Sequence, residues 1–340
     1  MAKREVVTLN EITPQLEAPQ TGDTYYLVRD VDVKTGIFKS EVADGASANA
    51  WVMNTANTYA TAGANLLQLQ NNTTPVFDFS YQGGIDHVNS GASTAAHSQS
   101  LNMNWTSAGT GTSSGQYSIV FGSNCKADKV GAFAGGNFAT ASGNYAFAWG
   151  TGGTTASGAG SVAFAASTAS GLTAFACAAG VVSGNYSAGF GRGVNVSNRC
   201  TIGLGGTAAA STAQSSFSTL YVATTDATQT TLLCEGANFV IPADTTWAFS
   251  ALVVARSDEA DGNLSMVWKL EGCLTRDESN NTALVGSVTT TVIADGAAGA
   301  WSCDAVADDT NEALAIRGTG EAATNIRWVA KVDIAQVTFA

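Results

Sequence analysis

Charge is what this sequence has least of. Asp, Glu, Lys and Arg make up 12% of its 340 residues, about half the usual share. From Val130 to Gly191 there is no charged residue at all. Proline is scarce, at 4, and there are 2 histidines, neither at metal-ligand spacing from the cysteines. The 6 cysteines form no C-x-x-C, which points to free buried thiols rather than disulfides or a zinc site. No window of about 18 apolar residues exists, so no membrane-spanning helix is expected. The net charge of −12 argues against nucleic-acid binding through a basic patch. P-loop, G-x-S-x-G and H-E-x-x-H signatures are missing, and Gly-Arg-Gly-Val-Asn at 191–195 is not a dinucleotide loop because no helix follows it. Helix signals are nearly absent throughout. Disorder is excluded as well, since 45% of the chain is hydrophobic.

What is present is a phrase repeated in tandem from Ser114 to Ala210. Copies begin at 114, 128, 142, 157, 170, 183 and 197, in steps of 13 to 15 residues. A fixed period of this kind sets the architecture before any local propensity does. Each copy holds two large positions flanking a small one. The large positions are filled by Ile119 and Phe121, Phe133 and Gly135, Phe147 and Trp149, Val162 and Phe164, Phe175 and Cys177, Ala188 and Phe190, and Ile202 and Leu204. Period two means strand, with the large residues on one face. We expect Ile119, Phe121, Phe133, Phe147, Trp149, Val162, Phe164, Phe175, Phe190, Ile202 and Leu204 to form the core of the repeat. The small middle face is expected to admit a neighbouring chain. Gly135 and Cys177 break the pattern and suggest local irregularity. A strand and turn of about 14 residues cannot bury an apolar face alone, whereas stacked copies can. So long an uncharged stretch also favours a coil packed against copies of itself.

The phrases Ser161-Val162-Ala163-Phe164-Ala165, Ser118-Ile119-Val120-Phe121-Gly122 and Thr201-Ile202-Gly203-Leu204-Gly205 resemble the SVAIG-type head repeats of trimeric autotransporter adhesins, which also occur in bacteriophage fibres. The resemblance covers under a third of the chain. It implies a left-handed parallel β-roll of about seven repeats, with three chains around one axis. The start, MAKREVVTLNEI, has no apolar core segment of the signal-peptide kind. With no membrane anchor in view either, the expectation is a virion component rather than an autotransporter.

Four regions follow from composition. Residues 1–60 carry charge and short strand candidates, such as Tyr25 to Val28. By resemblance to phage fibres they would be a β attachment unit that docks on other virion proteins. Residues 61–113 read as an irregular β-rich connector, with candidate strands at Leu66 to Gln70, Val76 to Tyr81 and Leu101 to Trp105. His87 and His97 fall here with no readable partner. Residues 114–210 are the repeat. In residues 211–340 charge returns, and eight strand candidates follow at steady spacing: 218–222, 231–234, 247–255, 264–273, 283–293, 301–307, 313–317 and 325–338. These argue for an antiparallel β-sandwich or jelly roll. The phrases at 253–277, 282–294 and 320–337 resemble the C-terminal β-domains of phage tail-fibre and virion proteins.

Few constellations suggest chemistry. Asp258-Glu259-Ala260-Asp261-Gly262-Asn263 is rich in oxygen but lacks EF-hand spacing, and it reads as a solvated hairpin turn. Asp304, Asp308, Asp309 and Glu312 could act as a hydrolytic pair only at the right separation, and a surface turn is the plainer reading. Tyr117, Tyr145 and Tyr186 stand at equivalent places, as a structural ladder or a sugar-binding edge. Arg192 and Arg199 could pair with acids across chains or frame the junction to the last region.

The sequence therefore leads to an all-β protein with no cofactor and no metal. The expected function is a tail-fibre-like homotrimer on the virion, binding a host-surface receptor such as a glycan, with no bond made or broken. A capsid fibre or decoration protein is the alternative, and a fibre-borne polysaccharide depolymerase the second alternative.

Overall fold

The structure is a computed structural model. It describes residues 65–71, 74–80, 85–86, 101–105, 112–205, 213–296 and 300–339, the first four segments as backbone. The expected attachment unit at 1–60, His87, His97 and the end of the repeat at 206–210 lie outside the described residues.

Among the described residues there is no helix. The repeat forms a β-solenoid of about six turns. On its long side run Ile119–Ser123, Phe133–Asn137, Phe147–Gly150, Val162–Phe164, Phe175–Cys177, Ala188–Phe190 and Thr201–Gly205. Each pairs with the next in parallel, with equivalent residues side by side, as Phe133 beside Phe147 and Phe147 beside Val162. Two-residue strands from Thr112–Ser113 to Asn195–Val196 stack in the same way on the short side. Leu101–Trp105 adds a further parallel strand before Ile119–Ser123.

The interior is the reverse of the one expected. Val120, Ala134, Ala148, Ala163 and Ala176, the small middle residues, are completely buried. They face Ala127, Ala141, Ala156, Ala169 and Val182 of the short side, which are equally buried. The expected core residues lie on the other face: Ile119, Phe121, Phe133, Phe147, Val162, Phe164, Phe175 and Ile202 are partly exposed, and Trp149, Phe190 and Leu204 are exposed at 44%, 41% and 50%. The physical reason is thickness. The coil is closed by strands of two residues, so its two walls come close enough for methyl groups and too close for rings. The same volume rule continues along the coil. Where the short wall changes from Ala to Val, at Val182 and Val196, the long wall changes from Ala to Gly, at Gly189 and Gly203. A Cβ on Gly189 would lie 2.6 Å from Val182 Cγ2, and one on Gly203 2.4 Å from Val196 Cγ2.

Buried serines lock the turns. Ser161 Oγ donates to Gly158 O at 2.7 Å, and Ser187 Oγ donates to Asn198 O at 2.8 Å. This gives the serine of the S-V-A-F phrase its role, which is to close the corner before the long strand in the copies that carry it; Ala132, Ala146 and Ala174 stand at that place in others.

The last long strand pairs antiparallel with Ala213–Thr224, so the solenoid sheet runs on into the C-terminal region. That strand pairs with Ile326–Thr338, which pairs with Thr245–Ser257, which pairs with Ser265–Arg276. Strict alternation on Thr245–Ser257 and Ile326–Thr338 buries one face of each strand. Trp247, Phe249, Trp268, Trp328 and Ile334 meet there, beneath a three-stranded sheet of Thr230–Thr231, Ser302–Asp308 and Ala313–Thr319. The run at 283–293, expected as one strand, is two: Thr282–Leu284 and Thr289–Asp295, separated at Gly286, whose φ of +82° is left-handed. Coil and C-terminal sheets are tied at a junction. Asn198 Nδ2 donates to Val240 O at 2.8 Å, Arg199 Nη1 to Glu235 O at 3.1 Å, and the Cys234 thiol to Arg199 O at 2.6 Å.

Candidate functional site

The most unusual surface is the outward side of the long wall. Stacked parallel strands bring equivalent residues to one rung spacing, about 4.8 Å, which is ring-to-ring distance. Phe133 and Phe147 stack face to face, with centroids 4.7 Å apart and planes at 8°. Phe121 adjoins Phe133 at 5.9 Å, Phe147 adjoins Phe164 at 5.4 Å, Phe164 adjoins Phe175 at 6.0 Å, and Phe175 adjoins Phe190 at 5.4 Å. The result is one continuous aromatic stripe running down the coil. Gly135 belongs to this design rather than interrupting it. A Cβ there would lie 2.2 Å from the Trp149 ring, and Trp149, lying over Gly135, reaches Phe133 at 5.9 Å.

At one corner of the coil the backbone turns through the left-handed region in every copy. The residues are Tyr117, Gly131, Tyr145, Gly160, Thr173, Tyr186 and Cys200, with φ between 48° and 65°. Each N–H from Gly131 onward donates to the rung before, as Tyr145 N to Val130 O at 2.8 Å. The three tyrosines are 50–71% exposed. They do not form an unbroken ladder, because Gly131, Gly160 and Thr173 occupy the intervening rungs. Tyr145 instead lies over Gly131, whose Cβ would meet the ring at 2.6 Å.

The acidic clusters are occupied in holding turns. Asp258 Oδ1 accepts from Asp261 N at 2.9 Å. Asp304 accepts from Arg317 Nε at 2.9 Å and from Nη2 at 2.6 Å. Asp308 closes its own turn onto Thr310, Asn311 and the Asn311 amide, and its carboxyl is held below the usual range chiefly by that amide. Asp309 and Glu312 converge on Thr282, one on its N–H and the other on its hydroxyl. Glu312 also lies 3.4 Å from Arg276 Nε. This joins two hairpins, a role invisible in the sequence because Thr282 is 27 and 30 residues away. Of the two arginines singled out in the repeat, Arg199 frames the junction to the last region and Arg192 is exposed.

No disulfide joins any of the six cysteines among the described residues. Burial pushes Cys234 and Cys303 up to about 12.

No family model and no curated protein matches this chain. Solved structures do. One is the tailspike protein gp49 from Acinetobacter baumannii bacteriophage Fri1, a capsular polysaccharide depolymerase, at 8% identity and a TM-score of 0.26, over 75% of this chain and 45% of that one. A second is the tailspike of Acinetobacter baumannii phage AM24, at 10% identity and a TM-score of 0.22, over 75% and 52%. A third is the tailspike of Acinetobacter phage vB_ApiP_P1, at 11% identity and a TM-score of 0.18, over 71% and 54%. The chain spans about half the length of these proteins. The expectation of a protein that is not an enzyme is corrected here. The similar structures are tailspikes, and the first is itself a capsular polysaccharide depolymerase.

Proposed function

We propose that this chain is a tail-fibre- or tailspike-like component of a phage virion that engages polysaccharide on the host surface. The observation that carries this reading is the aromatic stripe. One chain places Phe121, Phe133, Phe147, Trp149, Phe164, Phe175 and Phe190 side by side on its outside, in a region free of charge from Val130 to Gly191. Apolar surface of that extent marks an interface. A coil with period-locked rungs offers it to identical coils, so three copies meet along it, large residues inward, as a left-handed roll around one axis. The C-terminal region, residues 211–340, is the sandwich that projects toward the host. Residues 61–113 connect it and the roll to an attachment unit at 1–60, which docks on other virion proteins. Three copies of one weak site then act together through effective concentration.

Native mass spectrometry of the full chain tests the assembly. Three times the mass of 34.5 kDa is expected, and a monomer at micromolar concentration refutes the reading. Labelling of the C-terminal end on intact particles, seen at the tail tip, separates a tail component from a capsid fibre or decoration protein. The second reading is a polysaccharide depolymerase carried on the same scaffold. Its test is incubation of the purified protein with host capsular polysaccharide, with release of oligosaccharides as the expected result and an unshortened polymer as the result that removes it.

A further inference from the structure

Arg256 and Arg327 are direct partners across the antiparallel pair of Thr245–Ser257 and Ile326–Thr338, and both are exposed. Like charges placed opposite one another weaken a sheet, so such a pair calls for a counter-charge. Neither arginine forms an ion pair among the described residues. Arg256 donates from Nε and Nη2 to the neutral Asn263 Oδ1, at 3.0 and 2.5 Å. Arg327 makes no ion pair there. The nearby acids are turned to Asn325 instead: Asp258, which borders the same hollow, accepts through Oδ2 from Asn325 Nδ2 at 3.2 Å, and Asp261 Oδ2 accepts from Asn325 N at 2.6 Å. On the same two-layer unit Lys269, Arg317 and Lys331 each have an acid at 2.6 to 3.0 Å. The two unmatched guanidiniums are thus a local exception in a protein of net charge −12.

They also stand where the surface is hollow. A cavity of about 590 Å³ is lined by Arg256, Arg327, Asp258, Asn325 and Thr225. A second, of about 550 Å³, is lined by Arg327, Tyr221 and Val329. Arg327 and Ala223 border both, so the two form one trough. Tyr221 is 48% exposed and lies beside Val329 in the ladder. An aromatic face beside a fork of guanidiniums suits a sugar ring that carries an oxyanion. The ring lies on the tyrosine, and the oxyanion takes paired N–H donors.

We propose that this trough binds an anionic saccharide unit, holding its carboxylate or phosphate between Arg256 and Arg327 and its ring against Tyr221. The proposal rests on the reading above only for taking a polysaccharide as the carrier of the anion. Titration calorimetry on the full chain tests it with three probes: hexagalacturonate for carboxylate, a glycerol-phosphate oligomer for phosphate, and neutral maltohexaose. One or both anionic probes are expected to bind and maltohexaose is not; which anion binds identifies the source. R256Q/R327Q is expected to weaken binding by at least about tenfold, as loss of charge-assisted hydrogen bonds does. R192Q, on the coil, is expected to leave it unchanged. R256K and R327K, which keep the charge and lose the fork, serve if the double variant does not fold, and each is expected to weaken binding by a smaller factor. Equal binding of neutral and anionic probes, no binding of any probe, or unaltered affinity in the variants overturns the proposal. So does a change of native mass in R256Q/R327Q, which would place the pair in a subunit interface. A virion protein of another kind would fail the mass and labelling tests while leaving this titration intact.

Discussion

Replacing Gly158 by alanine probes how tightly the rungs are stacked. A Cβ at Gly158 would lie 1.9 Å from Gly171 O, 2.6 Å from Gly171 C and 2.9 Å from Ser170 O. A carbon and a carbonyl oxygen in contact sit about 3.3 Å apart or more, so the two rungs must part by over an ångström at that corner. They have nowhere to go, because the neighbouring rungs are stacked as closely: a Cβ on Gly143, Gly171 or Gly184 would also lie only 1.9 to 2.2 Å from the next rung. The bonds put at risk are Ser157 N to Ala169 O at 2.9 Å, Gly158 N to Ala169 O at 3.3 Å, Ser161 N to Gly158 O at 3.1 Å and the buried Ser161 Oγ to Gly158 O at 2.7 Å. At about 1 kcal/mol each, loss of three or four gives about 3–4 kcal/mol. Gly153 is the matched control: its φ is +90° and nothing lies within 4 Å of its would-be Cβ, so Gly153→Ala carries backbone strain alone, about 1–2 kcal/mol. Urea unfolding followed by circular dichroism, at one protein concentration because any assembly adds to apparent stability, compares the two. A Gly158→Ala loss no larger than that of Gly153→Ala would refute the close-stacked coil.

Three further outcomes are expected. Ala148→Leu inserts three carbons at a site with no exposure, and overpacking should cost about 1–3 kcal/mol or more, read as a fall in the urea midpoint; an unchanged midpoint would mean that the interior is not where the small residues point. Phe147→Ser, one position earlier, removes a half-exposed ring stacked on Phe133 at 4.7 Å, so it should leave the strands formed and shift native mass from trimer toward monomer; a trimer of full strength would move the interface elsewhere. For pH, burial raises the Cys303 thiol from 9.0 to about 12, with the Asp304 charge adding to it. Between about pH 9 and 12 the unfolded chain has lost this proton and the native state keeps it, so stability falls as pH rises through that window, by about 1 kcal/mol per pH unit. Buried Cys234, also raised to about 12, adds a like contribution, so Cys303→Ala should reduce the slope without abolishing it, and an equal slope in wild type and variant would locate the alkaline sensitivity in another group.

Much of the architecture was legible because a repeat fixes its own geometry. The phrase that recurs every 13 to 15 residues puts equivalent residues into parallel register, which the ladder from Phe133 to Ile202 shows rung by rung. The clean alternation on 247–255 and 325–338 likewise marked two long half-buried strands. The choice of interior was not legible from alternation alone, since a pattern of large and small residues looks the same whichever side is inside. It follows from the thickness of the coil, and a trace of that thickness is in the sequence. Val182 and Val196 appear in the short phrase where Gly189 and Gly203 replace alanine in the long one, which is compensation across a shared volume. Gly135 looked like a defect for the same reason, because the ring that needs its space belongs to the next copy.

The arginine pair shows where such reading stops. Arg256 and Arg327 are 71 residues apart in the chain, and only the register of two long antiparallel strands sets them side by side. Shifting Ile326–Thr338 by one residue would send the Arg327 guanidinium into the core and Trp328 out of it. The burial of Trp328, with its Nε1 donating to Thr224 Oγ1 at 2.9 Å, therefore also fixes Arg327 on the opposite face, where the register sets it beside Arg256. The core of the C-terminal unit and the trough on its surface are in this sense one determination. A substitution that loosens the Trp328 site should weaken anion binding without touching either arginine.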